Sequence, residues 1–359
     1  MNRLPGFVVA FFGLLLMTTH AGRMQRSLPV PTFTRNVAPI LFKNCVECHR
    51  PGEIAPMALR SYAEARPYAR AIAAKVKSGE MPPWHADAPP GTFSNDRRLT
   101  DAEKDTLIRW AENGAPQGDA HDLPALPEFT EGWTIGQPDA IVKMPSAYSV
   151  PGNGTIEYQY FEAPSNFSED KWVQALEIRP GARKVVHHVL VYAREPGQQA
   201  PTPAWSQIVP PPPPARNRAS APRRTDRGAL IATTAPGTNA TVFRPGSALL
   251  IKAGSTITFQ MHYTTNGEAT ADQTSIGFVF AKQPPKEEVQ TGAFLNAMFT
   301  LPPDSSRESV ESEIEFNDDV TVWSLFPHSH LRGKAWEYTA IYPDGKQEVV
   351  LSVPFQAGR

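Results

Sequence analysis

Hydrophobic positions divide the chain into three differently patterned stretches. Residues 6–17 (GFVVAFFGLLLM) form an uncharged apolar run behind a single Arg at position 3, with small residues at Thr19 and Ala21 beyond it. A basic start, a short apolar run and a small-residue site predict a secretory signal peptide over 1–21, cleaved near Ala21. The run is short of the roughly twenty residues that span a bilayer. Helical periodicity follows: Val37, Ile40 and Leu41 share one face of a helix within 34–44. Ser61 with Glu64, and Thr100 with Glu103, are capping boxes. The first predicts a helix running to Gly79. The second predicts a helix with Leu107, Ile108, Trp110 and Ala111 on its apolar side, closed by Gly114. Beyond residue 133 the period shortens. Residues 184–192 (KVVHHVLVY) read as a buried, β-branched strand, and 255–263 (STITFQMHY) alternates Ile257, Phe259 and Met261 against Thr258, Gln260 and His262. Residues 323–330 (WSLFPHSH) put His328 and His330 on one face if extended.

Composition narrows the class. A chain of 359 residues is long enough for two or three domains. Apolar residues at 41% and charged residues at 20% are enough to build cores. The formal charge of −1 argues against nucleic acid or an anionic membrane as the main partner. No later segment is apolar enough to span a membrane, so the mature chain is expected to carry no membrane span and to be periplasmic or secreted. The 37 prolines favour loops and edged β structure. Only two cysteines are present, which excludes a disulfide framework.

Those cysteines stand in Cys45-Val46-Glu47-Cys48-His49, the C-x-x-C-H pattern of c-type haem attachment. Two thiols add across the haem vinyl groups, and the adjacent His turns its imidazole onto the iron. A thioredoxin-like pair and half a zinc site share the C-x-x-C spacing. The absent second Cys pair speaks against zinc, and the following His with the export signal favours haem. Met81, in a Pro-stiffened loop after a predicted helix, is preferred over Met57 as the sixth iron ligand. His85 reads as a surface loop residue and His121 as part of a polar linker.

Five further histidines, His187, His188, His262, His328 and His330, fall in strand-like segments. Such a cluster in an exported chain points to a metal; imidazole suits Cu, Zn, Fe and Ni alike. The vicinal pair His187-His188 cannot face one way from a flat strand, so a twist or bulge is expected there.

In order and motif, His187-His188, Gln260-Met261-His262-Tyr263 and His328-Ser329-His330-Leu331-Arg332-Gly333-Lys334 resemble the copper type II, ascorbate-dependent monooxygenases, the family of peptidylglycine α-hydroxylating and dopamine β-monooxygenases. Residues 133–359 resemble their catalytic core, and the N-terminal part resembles a class I cytochrome c, a fusion found in bacterial members. The resemblance implies a small all-α cytochrome c domain followed by two all-β, jelly-roll-like sandwich domains, each holding one copper. The implied boundaries are 29–118 for the cytochrome domain, 119–132 for a linker, 133–286 for the first sandwich and 287–359 for an incomplete second sandwich. It further implies that His187, His188 and His262 hold an electron-storing copper, while His328 and His330 hold a catalytic copper that binds O2. The family's Met ligand to that copper follows the His-x-His pair. Here the last methionine is Met298, so the second site lacks its Met within this chain, and truncation of the third domain is expected.

The implied function is an exported haem- and copper-containing monooxygenase that hydroxylates a C–H bond of a small molecule or peptide with O2. Electrons would come through the c-type haem, from ascorbate or from a redox protein. The alternative is a periplasmic electron-transfer or copper-binding protein without hydroxylase activity. The proline run 210–214 and the arginines that follow it read as a solvated loop, and Gly228 and Gly237 match no phosphate-binding pattern.

Overall fold

The computed structural model describes residues 29–130, 132–198, 219–220, 228–235, 240–294, 296, 299–327 and 333–354. The expected signal peptide, the proline run, and His328 with His330 lie outside the described residues. No helix among the described residues is long and apolar enough to cross a membrane.

Among the described residues all helices precede residue 123 and all strands follow residue 139. A π-helical turn at Phe33–Val37 feeds α1 (Ala38–Asn44), with Pro at the first turn, where its missing N–H costs nothing. The helix expected from Ser61 to Gly79 is interrupted. Ser61 caps α2 (Tyr62–Ala65), a 3₁₀ turn covers Arg66–Tyr68, and α3 (Ala69–Lys77) follows. Pro67 is the physical reason, because it removes an N–H and restricts the residue before it. The second capping box forms on both sides at Thr100 and Glu103, and opens α4 (Asp101–Glu112). Phe33, Val37, Leu41, Leu107 and Trp110 close a helical core of their own. The residues expected as a linker include an exposed 3₁₀ turn, Ala120–Asp122, that carries His121.

The strands, in chain order, are β1 (Ala140–Lys143), β2 (Tyr148–Val150), β3 (Gln159–Pro164), β4 (Lys171–Arg179), β5 (Val186–Arg194), β6 (Ala219–Ser220), β7 (Ala229–Thr234), β8 (Ala240–Val242), β9 (Ser247–Ile251), β10 (Thr256–Tyr263), β11 (Thr270–Asp272), β12 (Ser275–Phe280), β13 (Glu287–Val289), β14 (Ile314–Glu315), β15 (Trp336–Ile341) and β16 (Gln347–Val353). A six-stranded sheet runs β1-β12-β4-β9-β13, with β8 also paired to β4, and a four-stranded sheet runs β3-β10-β5-β7. Both contribute to one apolar core: Val173, Leu176 and Ile178 from β4, Ile276 and Phe278 from β12, Val189 and Val191 from β5, and Ile257, Phe259 and Met261 from β10. The odd spacing between Val173 and Leu176 is reconciled by a bulge. Val279 pairs Ala175 while Phe280 pairs Val173, so Gln174 is the extra residue and side-chain parity flips there. At Gly228 a side chain has no room, since a Cβ would lie 2.2 Å from the Ala193 carbonyl oxygen where β7 begins beside β5.

The molecule is therefore β-rich with a helical N-terminal part. After β13 the described residues contain a parallel β14–β6 pair and the β15–β16 hairpin, and otherwise carry no regular structure. The strand expected within 323–330 is absent from its described part, residues 323–327, which is irregular and ends on Pro327.

Candidate functional site

The histidine cluster is a consequence of strand register. β10 pairs antiparallel with β5, and His262 lies directly opposite His188. The next pair is Tyr263 with Val186, so His187 is the extra residue of a β-bulge. That bulge resolves the geometric conflict of a vicinal pair, letting both rings turn to the outer face of the four-stranded sheet. His262 takes the same face by alternation, because Ile257, Phe259 and Met261 are committed to the core.

Three ring nitrogens converge there. His187 Nδ1 lies 3.1 Å from His188 Nδ1, and His262 Nδ1 lies 3.3 Å from the same atom. Two nitrogens at about 2.0–2.1 Å from one ion and 90–120° apart would be separated by about 2.9–3.5 Å, which these two distances match, and all three ligand atoms lie within 4.8 Å of one another. His187, His188 and His262 could therefore hold a metal ion, and they form the one cluster of three such ligands among the described residues. The donor set suits copper and equally zinc, iron or nickel. His188 is buried, His262 is half-buried and His187 is exposed, so the cluster opens to solvent past His187. Loss of water on the packed flank of its ring lowers the His187 pKa and favours the neutral, ligating form.

Tyr158 completes the site and has no signature in the sequence, since 154–158 shows no strand period. Its ring centroid sits 4.8 Å from that of His262, tilted by 33°. Its hydroxyl is 3.4 Å from His188 Nε2. Nδ1 facing the cluster leaves Nε2–H of His188 to face this oxygen, an arrangement that fixes tautomer and ring orientation. Burial raises the Tyr158 pKa, with Tyr160 adding a smaller effect, so the phenol stays protonated. A second support was equally invisible in the sequence. Asp272 is fully buried and accepts from Ala182 N at 2.7 Å, Tyr263 Oη at 2.9 Å and Thr274 Oγ1 at 2.8 Å. It thereby pins the loop entering β5 and the end of β10, the two segments that carry the histidines.

The C-x-x-C-H segment closes α1 in a tight turn, with Cys45 N bonded to Leu41 O and both Cys48 N and His49 N bonded to Cys45 O. Both cysteines are free and half-buried. Burial pushes the Cys45 thiol up to about 12 and also raises Cys48. Thiol–disulfide exchange of the thioredoxin kind needs a depressed thiol pKa, so this pair is poorly suited to it. His49 is buried, its pKa is lowered by burial, and its Nδ1 lies 3.2 Å from the Met57 carbonyl oxygen. With Nδ1–H donating to that carbonyl, Nε2 keeps a free lone pair for a metal. Met57 packs against the helical core, whereas Met81 is exposed on the loop after α3. Trp84, on the same loop, buries its indole Nε1 without a hydrogen-bond acceptor among the described residues. His85 lies half-buried in the irregular loop after α3.

The structure thus brings together His187, His188 and His262, keeps Cys45, Cys48 and His49 on one turn, and leaves His328 and His330 outside its described residues. No known protein-family model matches the chain, and no curated protein matches it.

Proposed function

We propose that the chain is an exported haem- and copper-containing monooxygenase that hydroxylates a C–H bond of a small molecule or peptide with O2, electrons arriving through a c-type haem, ascorbate or both. The observation that carries this reading is the convergence of three Nδ1 atoms at 3.1 and 3.3 Å on a bulge predicted from the sequence. Copper on these nitrogens, and haem on Cys45 and Cys48, would each supply a one-electron redox centre. The residues then have distinct tasks. His187, His188 and His262 present lone pairs, Tyr158 holds the His188 tautomer, and the Met57 carbonyl does the same for His49. Met81, exposed on the loop after α3, would be the sixth iron ligand in this reading, with Met57 held to His49 through its carbonyl oxygen. The unpartnered Trp84 Nε1 is a donor suited to a haem carboxylate.

In this reading 29–118 is a class I cytochrome c domain and 119–132 a linker. The first copper sandwich starts at 133 and runs past the expected boundary at 286, because β13 (Glu287–Val289) pairs with β9 in its six-stranded sheet. The residues after β13, to 359, belong to a second one in which His328 and His330 hold the catalytic copper. The separate helical core and the two sheets over one core support this division. Metal analysis after expression with haem-attachment machinery tests it. The expected result is one covalent haem and two copper ions per chain, with ascorbate-driven O2 consumption; His328→Ala with His330→Ala removes one copper and the consumption. A second reading, an electron-transfer or copper-binding protein without hydroxylase activity, requires only the His187, His188 and His262 cluster. One copper per chain and no O2 consumption would establish that reading and overturn the first.

A further inference from the structure

The helical part and the histidine-bearing sheet meet through charge. Glu53, four residues after His49, offers Oε1 to Arg50 Nη2 at 3.0 Å and Oε2 to Arg183 Nη1 at 3.3 Å. Arg183 lies four residues before His187 on the loop that Asp272 fixes through Ala182 N. Arg50 in turn lies 4.1 Å over the Phe129 ring, which packs on the helical core. The three side chains are only 15–24% exposed, so solvent and salt screen them less than a surface pair. Beside them Gly52 faces Gly181, Ala182 and Lys184 across an open cleft of about 330 Å³. A bridging carboxylate closes this contact. Without the carboxylate the two guanidinium groups would repel each other.

We propose that Glu53, bridging Arg50 and Arg183, is a positioning clasp that holds the haem motif against the loop entering β5 and so sets the route for one electron from haem to the histidine cluster. The inference rests on the haem–copper reading above. The step is balanced by one electron: ferrous haem iron becomes ferric and cupric copper becomes cuprous, no atom is transferred, and a small reductant of the ascorbate class reduces the haem beforehand. Arg183 and Glu53 are positioning residues; neither touches iron or copper.

Two measurements on the full-length, haem- and copper-loaded chain test this. Hydrogen–deuterium exchange followed by mass spectrometry reports the contact, and stopped-flow absorbance of prereduced haem reports the transfer. Arg183→Glu should raise exchange in both 46–53 and 180–186, and slow haem reoxidation by copper about tenfold, or about 1.4 kcal/mol in the docking equilibrium. Haem reduction by added ascorbate and the haem spectrum should stay as in the parent. Arg183→Lys keeps a charge for Glu53 and should restore most of the rate. Unchanged exchange in Arg183→Glu would overturn the clasp. Increased exchange with an unchanged transfer rate would overturn its electron-transfer role. If haem in the parent protein never reduces the copper, the donor reading fails together with that role, while the exchange data still decide whether the contact exists.

Discussion

Asp272 offers the sharpest test of how the site is held. Replacing it with Ala removes the acceptor of three hydrogen bonds, from Ala182 N, Tyr263 Oη and Thr274 Oγ1, in a fully buried position. Hydrogen bonds to a charged acceptor contribute about 1.5–3 kcal/mol each, so the gross loss is about 4.5–9 kcal/mol. Relief of the carboxylate's desolvation returns several kcal/mol. The net expectation is a destabilisation of about 3–5 kcal/mol, large for a single substitution. Asp272→Asn separates geometry from charge. Its Oδ1 still accepts from Ala182 N, and its Nδ2 can donate to Tyr263 or Thr274 once those hydroxyls turn. That variant should lose about 1–2 kcal/mol, the difference between charged and neutral bonds. Gly181 is part of the same fit, since a Cβ there would lie 2.9 Å from Gln273 N and 3.2 Å from Asp272 Oδ1. Urea unfolding followed by fluorescence, with copper titration of the folded protein, measures both effects. A loss below about 1 kcal/mol in Asp272→Ala, with copper affinity unchanged, would refute the view that Asp272 pins the two histidine-bearing segments.

Three further outcomes are expected. Tyr158→Phe keeps the ring contacts but loses the oxygen 3.4 Å from His188 Nε2; copper affinity by calorimetry should fall about 10–100-fold, as for other outer-shell partners of a ligating His. Asp96, held down to about 2 chiefly by its side-chain hydrogen bonds from Arg98, stays charged well below the ordinary Asp range. Its stabilising effect is therefore complete above the unfolded value near 3.8 and is lost as pH falls toward 2. Arg98→Ala should return the Asp96 titration, read by carboxyl NMR shifts, toward 3.8 and remove that pH dependence. Cys45→Ala with Cys48→Ala should abolish covalent haem, read by haem-stained denaturing gels; haem that still migrates with the chain would refute attachment at this motif.

The sequence by itself determined elements whose cause is local. Ser61 and Thr100 cap their helices as their spacing requires, alternation in β10 sends His262 outward, and the vicinal pair His187-His188 demanded a distortion that appears as the bulge. The break at Pro67 is equally local in cause, but the capping box at Ser61 predicts one helix to Gly79 and by itself takes no account of the proline. Tertiary structure alone decided what meets across the fold. Setting His262 opposite His188 is a question of register between segments some seventy residues apart, fixed when Val189, Val191, Phe259 and Met261 bury themselves in the shared core. Tyr158, Asp272 and the Glu53 clasp act through partners 30, 90 and 130 residues away. No local period marks such residues, because their neighbours are set by how the sheets and helices pack. The chain's ligand types could be read from its letters; their arrangement into a site required the pairing of strands.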